Sequence, residues 1–466
     1  MPQAQSSIAS SIPRRGETVE LTIEDWGDKG RGIARLGRMV VLTDRGLPGD
    51  RVRARITARK RNLLHAALEE IVTPGPGRID PLCRHFGLCG GCRLLDLQYE
   101  RQLEGKVRHL AEQLRRIGGL DRIPDIDIVP CEPPFRYRNK MEFSFGGFDG
   151  TLALGLHPRE NFRDAFDLSE CWLTDARVAD IVGAVRGFFA DGSVAPYHPV
   201  HHTGFLRFVV TRLGLRTGDV LVNLVTAAGE WDRSDDFAQC LRQRCPYVTT
   251  ALWTVNDRRA NIATGSLRQV FFGPGRLTEQ LGGFTFEIAP GGFFQTNTLQ
   301  AERLFDRVMT YADPNGGTAL DLYAGAGVIS LLLSRRADRV IGVESHADSV
   351  AAAERNAALN DVTNCRFLCG DVLEYLKADS SAMSPFDLIV VDPPRAGLHP
   401  KVARALTRMT PSPRRLVYVS CNTAALARDF VLLAEAFSLE RLAAVDMFPH
   451  TPHIEAVALL TPRVSG

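Results

Sequence analysis

Near the C-terminal end of the chain an apolar run, Arg414-Arg415-Leu416-Val417-Tyr418-Val419-Ser420, leads directly into Cys421-Asn422. A cysteine taken at random is more often a small buried hydrophobe than a reagent. This one stands where a strand ends, and in an open α/β sheet the carboxyl ends of the strands are where ligands bind. As a thiolate it could add to C6 of a uracil ring, turning a poor nucleophile into an enolate whose C5 can take a methyl group. Such a reaction also requires a general base for the C5 proton. Glu455, in Thr451-Pro452-His453-Ile454-Glu455-Ala456-Val457, is the candidate, and His453 the second choice. The plain alternative for Glu455 is a solvent-facing strand residue.

Other chemistry-bearing residues also sit at strand ends. Asp321-Leu322-Tyr323-Ala324-Gly325-Ala326-Gly327 closes one strand, Glu344 a second, Asp371 a third, and Asp392-Pro393-Pro394-Arg395 a fourth. Glycines at the first turn let a ligand approach the backbone, and a carboxylate after the second strand can accept two ribose hydroxyls. A nicotinamide site has the same outline. Ser330 stands where the third glycine of that fingerprint would be, and an acid lies inside the first strand, so S-adenosylmethionine is the preferred ligand. For Asp371 a helix N-cap is a competing explanation. Arginine after the two prolines argues against methylation of an exocyclic amine, where an aromatic residue would stack on the base. A Pro-Pro turn alone would leave Asp392 unexplained.

Cys83, Cys89 and Cys92 place three soft ligands within ten residues, beside Gly87, Gly90 and Gly91. Their spacing suits a metal or iron–sulfur site, which needs a fourth ligand. Cys171 and Cys131 are the candidates, and the spacing does not separate zinc from a cluster. Cys240, Cys245, Cys365 and Cys369 are expected to have no metal role.

These residues must be carried by several domains, since 466 residues exceed the ~100–200 of one domain. The composition, 45% hydrophobic and 24% charged, is that of a globular protein. No run approaches the ~20 apolar residues of a membrane span, and the N-terminus lacks the apolar centre of a secretory signal. The cytoplasm is therefore expected, and ten cysteines are too sparse for a disulfide scaffold. A net charge of +2 announces no nucleic-acid partner. The basic run Arg51 to Arg61 could nonetheless attract phosphates, the bland alternative being a solvated strand face.

Residues 1–14 read as a disordered arm, and short alternating segments from Glu17 to Val72 as a small β-barrel. Residues 74–78 read as a linker, and Leu94 to Ile117 as an amphipathic helix. Strands with interposed helices from about Ile126 to Glu287 predict an α+β central domain. From Thr318, strand–turn–helix repeats predict a mostly parallel, doubly wound, Rossmann-like sheet.

With these motifs in place the chain resembles the RNA 5-methyluridine methyltransferases, particularly the 23S ribosomal RNA branch. The resemblance runs from about residue 15 and rests on Gly291-Gly292-Phe293-Phe294-Gln295-Thr296-Asn297, DLYAGAG, DPPR, SCN and HIEAVALL. It implies a multidomain α/β chain: an OB-like TRAM barrel at 15–74, a central domain at 75–92 and 127–290, and a class I methyltransferase domain at 93–126 and 291–466. It further implies Gln295, Tyr323, Glu344 and Asp392 at S-adenosylmethionine, to which the strand-end reading adds Asp371, with Cys421 as nucleophile and Glu455 as base. Cys83, Cys89, Cys92 and Cys171 would hold a [4Fe–4S] cluster, the barrel would bind RNA, and a monomer is expected. Val328 departs from the Asn of some ribosomal relatives. The tRNA-modifying branch lacks both barrel and cysteine cluster, which disfavours a tRNA substrate. A cytosine-C5 RNA methyltransferase, a non-catalytic assembly factor and a nicotinamide-dependent reductase are the rival functions.

Overall fold

The computed structural model describes residues 13–148, 151–159, 161, 163–377 and 386–463. The expected arm at 1–14 thus lies outside the described residues except for Pro13 and Arg14. The chain forms two compact units: the barrel with residues 91–102 and 450–452, and a larger unit holding 83–90, 103–449 and 453 onward.

The barrel comprises β1 (Thr18–Trp26), β2 (Gly32–Leu36), β3 (Met39–Thr43), β4 (Arg51–Lys60) and β5 (Leu63–Thr73), closed in the order β1-β2-β3-β5-β4. Alternation in β4 explains its burial. Val52, Ala54 and Ile56 point into a core with Leu21, Ile23, Val41 and Leu64, while Arg51, Arg53 and Arg55 face out. Those arginines are paired with carboxylates: Arg51 with Glu20 at 2.7 Å, Arg53 with Glu70 at 2.6 Å and Arg55 with Glu69 at 2.8 Å. The run that looks uniformly basic in sequence is therefore a ladder of alternating charge across neighbouring strands. Arg59, Lys60 and Arg61 lie exposed beyond it. The stretch after the barrel is latched to it, because buried Asp50 accepts Gly75 N–H at 2.8 Å and Arg78 Nε at 3.1 Å.

From Leu103 onward α1 (Tyr99–Arg116) belongs to the larger unit, where it sends Leu110 and Leu114 into a core with Leu426, Ala427 and Phe430. The next strand, β6 (Ile126–Val129), joins the far edge of the catalytic sheet rather than the central one, since it pairs in parallel with a late strand of that sheet. The central sheet has the order β13-β12-β11-β10-β7-β8-β9. Its strands are β7 (Lys140–Gly146), β8 (Ala153–Leu156), β9 (Phe166–Asp167), β10 (Leu206–Leu213), β11 (Val220–Thr226), β12 (Thr250–Val255) and β13 (Ser266–Phe272). Helices α2 (Arg177–Phe188) and α3 (Ser234–Arg244) close one face. A hairpin of β14 (Leu277–Leu281) and β15 (Phe284–Ile288) packs into the catalytic core.

The catalytic sheet is built from α4 (Thr298–Ala312) onward: β16 (Thr318–Leu322), α5 (Val328–Leu333), β17 (Arg339–Glu344), α6 (Ala347–Leu359), β18 (Cys365–Cys369), α7 (Val372–Lys377) and β19 (Leu388–Val391). It continues with α8 (Pro400–Thr407), β20 (Arg415–Ser420), α9 (Thr423–Leu433), β21 (Phe437–Val445) and β22 (Glu455–Pro462). The order is β18-β17-β16-β19-β20-β22-β21-β6. The first five strands are parallel, and β22 enters antiparallel between β20 and β21. Antiparallel entry has a functional consequence: the start of β22 lies beside the end of β20.

Candidate active site

Ser420 pairs with Ala456, so Cys421 and Glu455 are the next residues outward on adjacent strands. Cys421 is half-buried, and burial pushes its thiol up to about 11, with the Glu455 carboxyl adding to the shift and the Arg395 guanidinium opposing it. Glu455 is 6% exposed. Burial raises it to about 8, Asp392 pushes the same way, and Arg395 again opposes. Asp392, just past β19, is raised to about 7 by burial. Cys421, Glu455, Asp392 and Arg395 thus share one electrostatic neighbourhood. His453 is exposed, with its ring edge-on to Phe448 at 6.5 Å.

Two short loops hold this group. The Asn422 side chain caps α9 by accepting Ala424 N–H at 3.1 Å and Ala425 N–H at 3.3 Å, and its Nδ2 donates to the Arg395 carbonyl at 2.9 Å. One residue therefore fixes both the Cys421 turn and the Asp392–Arg395 turn. Buried Asp429 supports the second turn from below, accepting Leu398 N–H at 2.6 Å and the Tyr418 hydroxyl at 2.7 Å.

The glycine turn follows β16. Tyr323 has φ 67° and Gly325 φ 54°, and a Cβ added to Gly325 would meet nothing within 4 Å. That bare backbone leaves room for a ligand. Gly327 is different, since its Cβ would strike Ala353 and Phe367 at 3.0 Å. Glu344 receives Gly325 N–H at 3.1 Å and His346 N–H at 2.9 Å. Burial raises its pKa, but the hydrogen bonds from His346, Gly325 and Ser345 outweigh that and hold it below the ordinary glutamate value. Asp371 is exposed and caps α7 through Leu373 N–H at 2.8 Å and Glu374 N–H at 3.1 Å, the N-cap geometry that competes with a ligand role in sequence.

Gln295 sits on a loop anchored from far away in the chain. Asn139 Nδ2 donates to its carbonyl at 2.9 Å, buried Arg212 donates to the Gly292 carbonyl, and Asn297 Nδ2 donates to Met447 O at 3.1 Å. The loop tip carries a residue that sequence reasoning passed over: Phe293 is 75% exposed. An apolar ring held in solvent beside a candidate site was the available signal.

The cysteines separate. Cys131 is buried under the Gln295 loop, where Asn297 Nδ2 contacts its sulfur at 3.5 Å. Cys171 lies with Cys83, whose thiol is raised by burial and by the Cys171 charge. Their segments are joined by Arg84 N–H to Glu170 at 2.8 Å and a His85–Ser169 contact at 3.0 Å. Backbone amides of His85 and Phe86 point at the Cys83 sulfur, and those of Leu173 and Thr174 at Cys171. Among the described residues no three His, Cys, Asp or Glu side chains are grouped to hold a metal ion, and no helix is long and apolar enough to cross a membrane.

Residues 276–463 match the tRNA (uracil-5-)-methyltransferase family model, and residues 14–68 match the TRAM domain. An uncharacterized RNA methyltransferase of Chlorobaculum tepidum is 36% identical over 477 residues, covering 96% of each chain. One from Nitratidesulfovibrio vulgaris is 36% identical over 457 residues, covering 96% of this chain and 97% of its own. Among solved structures, the Pyrococcus abyssi tRNA (uracil-54, C5)-methyltransferase in complex with S-adenosyl-L-homocysteine superposes with a TM-score of 0.76 at 29% identity, covering 95% of this chain and 100% of its own. That coverage leaves too few residues unmatched to omit the barrel. The barrel therefore does not by itself separate ribosomal from transfer RNA substrates.

Proposed function

The chain belongs to the S-adenosylmethionine-dependent RNA uracil-5-methyltransferases, and from that premise we propose that it methylates C5 of a uridine in 23S ribosomal RNA through a covalent adduct on Cys421. The observation that carries the mechanism is the adjacency of Cys421 and Glu455 at the mouth of the catalytic sheet. The Cys421 thiolate adds to C6, the C5=C6 electrons pass into the enolate, and C5 accepts a methyl group. S-adenosylmethionine, when bound, supplies that group. Glu455 then takes the C5 proton, and the returning electrons expel Cys421 from C6. Asn422 and Arg395 position the thiol. Gln295, Tyr323, Glu344, Asp371 and Asp392 line the donor site, Asp371 through whichever acceptor capacity its cap leaves. Phe293 offers a face on which a splayed-out base can stack.

We further propose that Cys83, Cys89, Cys92 and Cys171 hold a [4Fe–4S] cluster. The support is the donor set: three cysteines in the first segment, which is hydrogen-bonded to the segment of Cys171, with backbone amides directed at the Cys83 and Cys171 sulfurs. Uridine methylation needs no electron transfer, so the cluster's part is structural. The barrel and its basic β4–β5 turn contact RNA phosphates, and the protein acts as a monomer in the cytoplasm.

A transfer RNA substrate is the second reading, favoured by the full-length likeness to the archaeal tRNA enzyme. Tritium release from 5-tritiated uridine in 23S ribosomal RNA and in bulk tRNA, with S-adenosylmethionine present, tests both. Release from 23S RNA by the native protein and none by Cys421→Ala is expected. Release from tRNA alone would transfer the assignment, and equal release by Cys421→Ala would refute the covalent mechanism.

A further inference from the structure

Glu455 opens β22 opposite the end of β21, and the pattern of these two strands does not by itself fix where it sits. Leu442, Ala443, Ala444 and Val445 pair with Ala458, Val457, Ala456 and Glu455; all eight are buried, and all but Glu455 are apolar. On the other side of β22, β20 is buried as well. Where both faces of a strand are apolar, sliding exchanges one apolar contact for another, so burial specifies register weakly. The connection, residues 446–454, is longer than the tight turns that set register in short hairpins. A slip of two residues would carry Glu455 about 7 Å along the strand, away from Cys421.

A polar clamp stands one residue past the last pair. The side chains of Lys106, on α1, and Asp446 have no exposed surface, and Lys106 Nζ donates to Asp446 Oδ1 at 2.6 Å and to the Phe448 carbonyl at 3.1 Å. Asp446 N–H donates to the Val129 carbonyl at 3.0 Å, Asn297 Nδ2 to the Met447 carbonyl at 3.1 Å, and the buried Tyr137 hydroxyl to the Pro449 carbonyl at 3.1 Å. Each residue from Asp446 to Pro449 is therefore held. Exchanging a buried ion pair for apolar residues of similar volume is often neutral or stabilising, so stability alone does not account for this pair. What a buried polar pair does supply is a penalty on every register that parts its members, as one polar residue does in a coiled-coil seam.

We propose that Lys106 is a positioning residue for proton abstraction: its buried pair with Asp446 locks the register of β21 on β22 and so holds the Glu455 carboxyl where it meets C5 of the uracil bonded to Cys421. This rests on the reading of Glu455 as the base. Being fully buried, Lys106 acts on the reaction only through the hairpin. The same segment reaches the methyl-donor loop, since Asn297, which grips Met447, stands two residues from Gln295.

The test compares, in the full-length protein, the double variant Lys106→Met with Asp446→Val, which leaves no buried charge, with Glu455→Gln and with all three changes together. The RNA is whichever of 5-tritiated 23S ribosomal RNA or tRNA the native protein works on, in single turnover with methyl-labelled S-adenosylmethionine. Tritium release reads proton abstraction, and methyl label in the RNA, free or protein-bound, reads the transfer that precedes it. The double variant should melt close to the native protein. It should transfer methyl within about threefold of the native rate and release tritium about a hundredfold more slowly, the loss expected of a ~1 Å misplacement. Combined with Glu455→Gln it should slow release no further, because both act on the same contact. A merely structural pair would slow both steps alike or add its loss to that of Glu455→Gln, and either result would overturn the proposal, as would release at the native rate. Asp446→Asn, which keeps an acceptor for Lys106, serves where the double variant does not fold; about tenfold slower release is expected, with the same lack of additivity. Unchanged release by Glu455→Gln alone would instead overturn the reading of Glu455 as the base.

Discussion

Cys421 and Glu455 come together because β22 runs antiparallel beside β20, so that one strand ends where the other begins. The pair divides the proposed reaction between them: one residue opens the ring, and the other must act before it can leave. Replacing Glu455 by Gln should therefore let the adduct form and methylate but slow its breakdown. We expect a protein–RNA species resistant to denaturing gel electrophoresis to accumulate with Glu455→Gln and to be absent with Cys421→Ala. Accumulation by neither, with both variants folded and binding RNA, would dissociate Glu455 from the elimination step.

The raised pKa of Glu455 makes a second prediction with a definite sign. In the folded chain the carboxyl holds its proton up to about pH 8, whereas an unfolded glutamate loses it near ~4.3. The unfolded state thus binds fewer protons between those values, so the contribution to stability is complete at low pH and falls as pH rises toward 8. Thermal melts of the ligand-free protein should show a lower Tm at pH 8 than at pH 5.5, and Glu455→Gln, neutral at both, should narrow the gap. The base is active as carboxylate, so kcat/KM should rise through the same range. A gap unchanged in the variant would mean that the carboxyl is ionised in the fold.

Local pattern made much of this legible in the sequence. Cys421, Glu344 and Asp392 could be singled out because strand ends are marked by an apolar run giving way to polar residues, and the doubly wound sheet followed from the same alternation. Partners set by long-range register were not legible. Arg51, Arg53 and Arg55 look like a phosphate-binding run until β1 and β5 bring Glu20, Glu69 and Glu70 beside them. The strand Ile126–Val129 gives no local sign that it will cross to the catalytic sheet. The anchors of the Gln295 loop, Asn139 just before β7 and Arg212 in β10, are far off in sequence.

Those anchors make a third prediction. Asn139 is 7% exposed and donates to both the Gln295 carbonyl and the Thr298 hydroxyl, the latter at 2.9 Å. Truncation to alanine leaves buried acceptors short of a donor, costing about 1–3 kcal/mol. Because the change loosens the donor loop rather than the reacting atoms, Asn139→Ala should raise KM for S-adenosylmethionine roughly tenfold and leave kcat within about twofold. Steady-state kinetics at saturating RNA would check this, and a loss confined to kcat would place Asn139 with the chemistry instead.

The position of Cys131 gives the sharpest test of the cluster. Both Cys131 and Cys171 are available in sequence as a fourth ligand, but Cys131 is engaged with Asn297 beneath the Gln295 loop and Cys171 lies with Cys83. Loss of one thiolate from a four-thiolate site removes a bond to iron, whereas Cys131→Ser exchanges one small buried group for another. Protein purified without oxygen should therefore carry iron and acid-labile sulfide in the native and Cys131→Ser forms, and much less of both in Cys171→Ser. A structural cluster should also take stability with it, so Cys171→Ser should melt at lower temperature than Cys131→Ser. If iron content is unaffected by Cys171→Ser and lost with Cys131→Ser, the ligand assignment is wrong; if the native protein holds no iron, the cluster itself is.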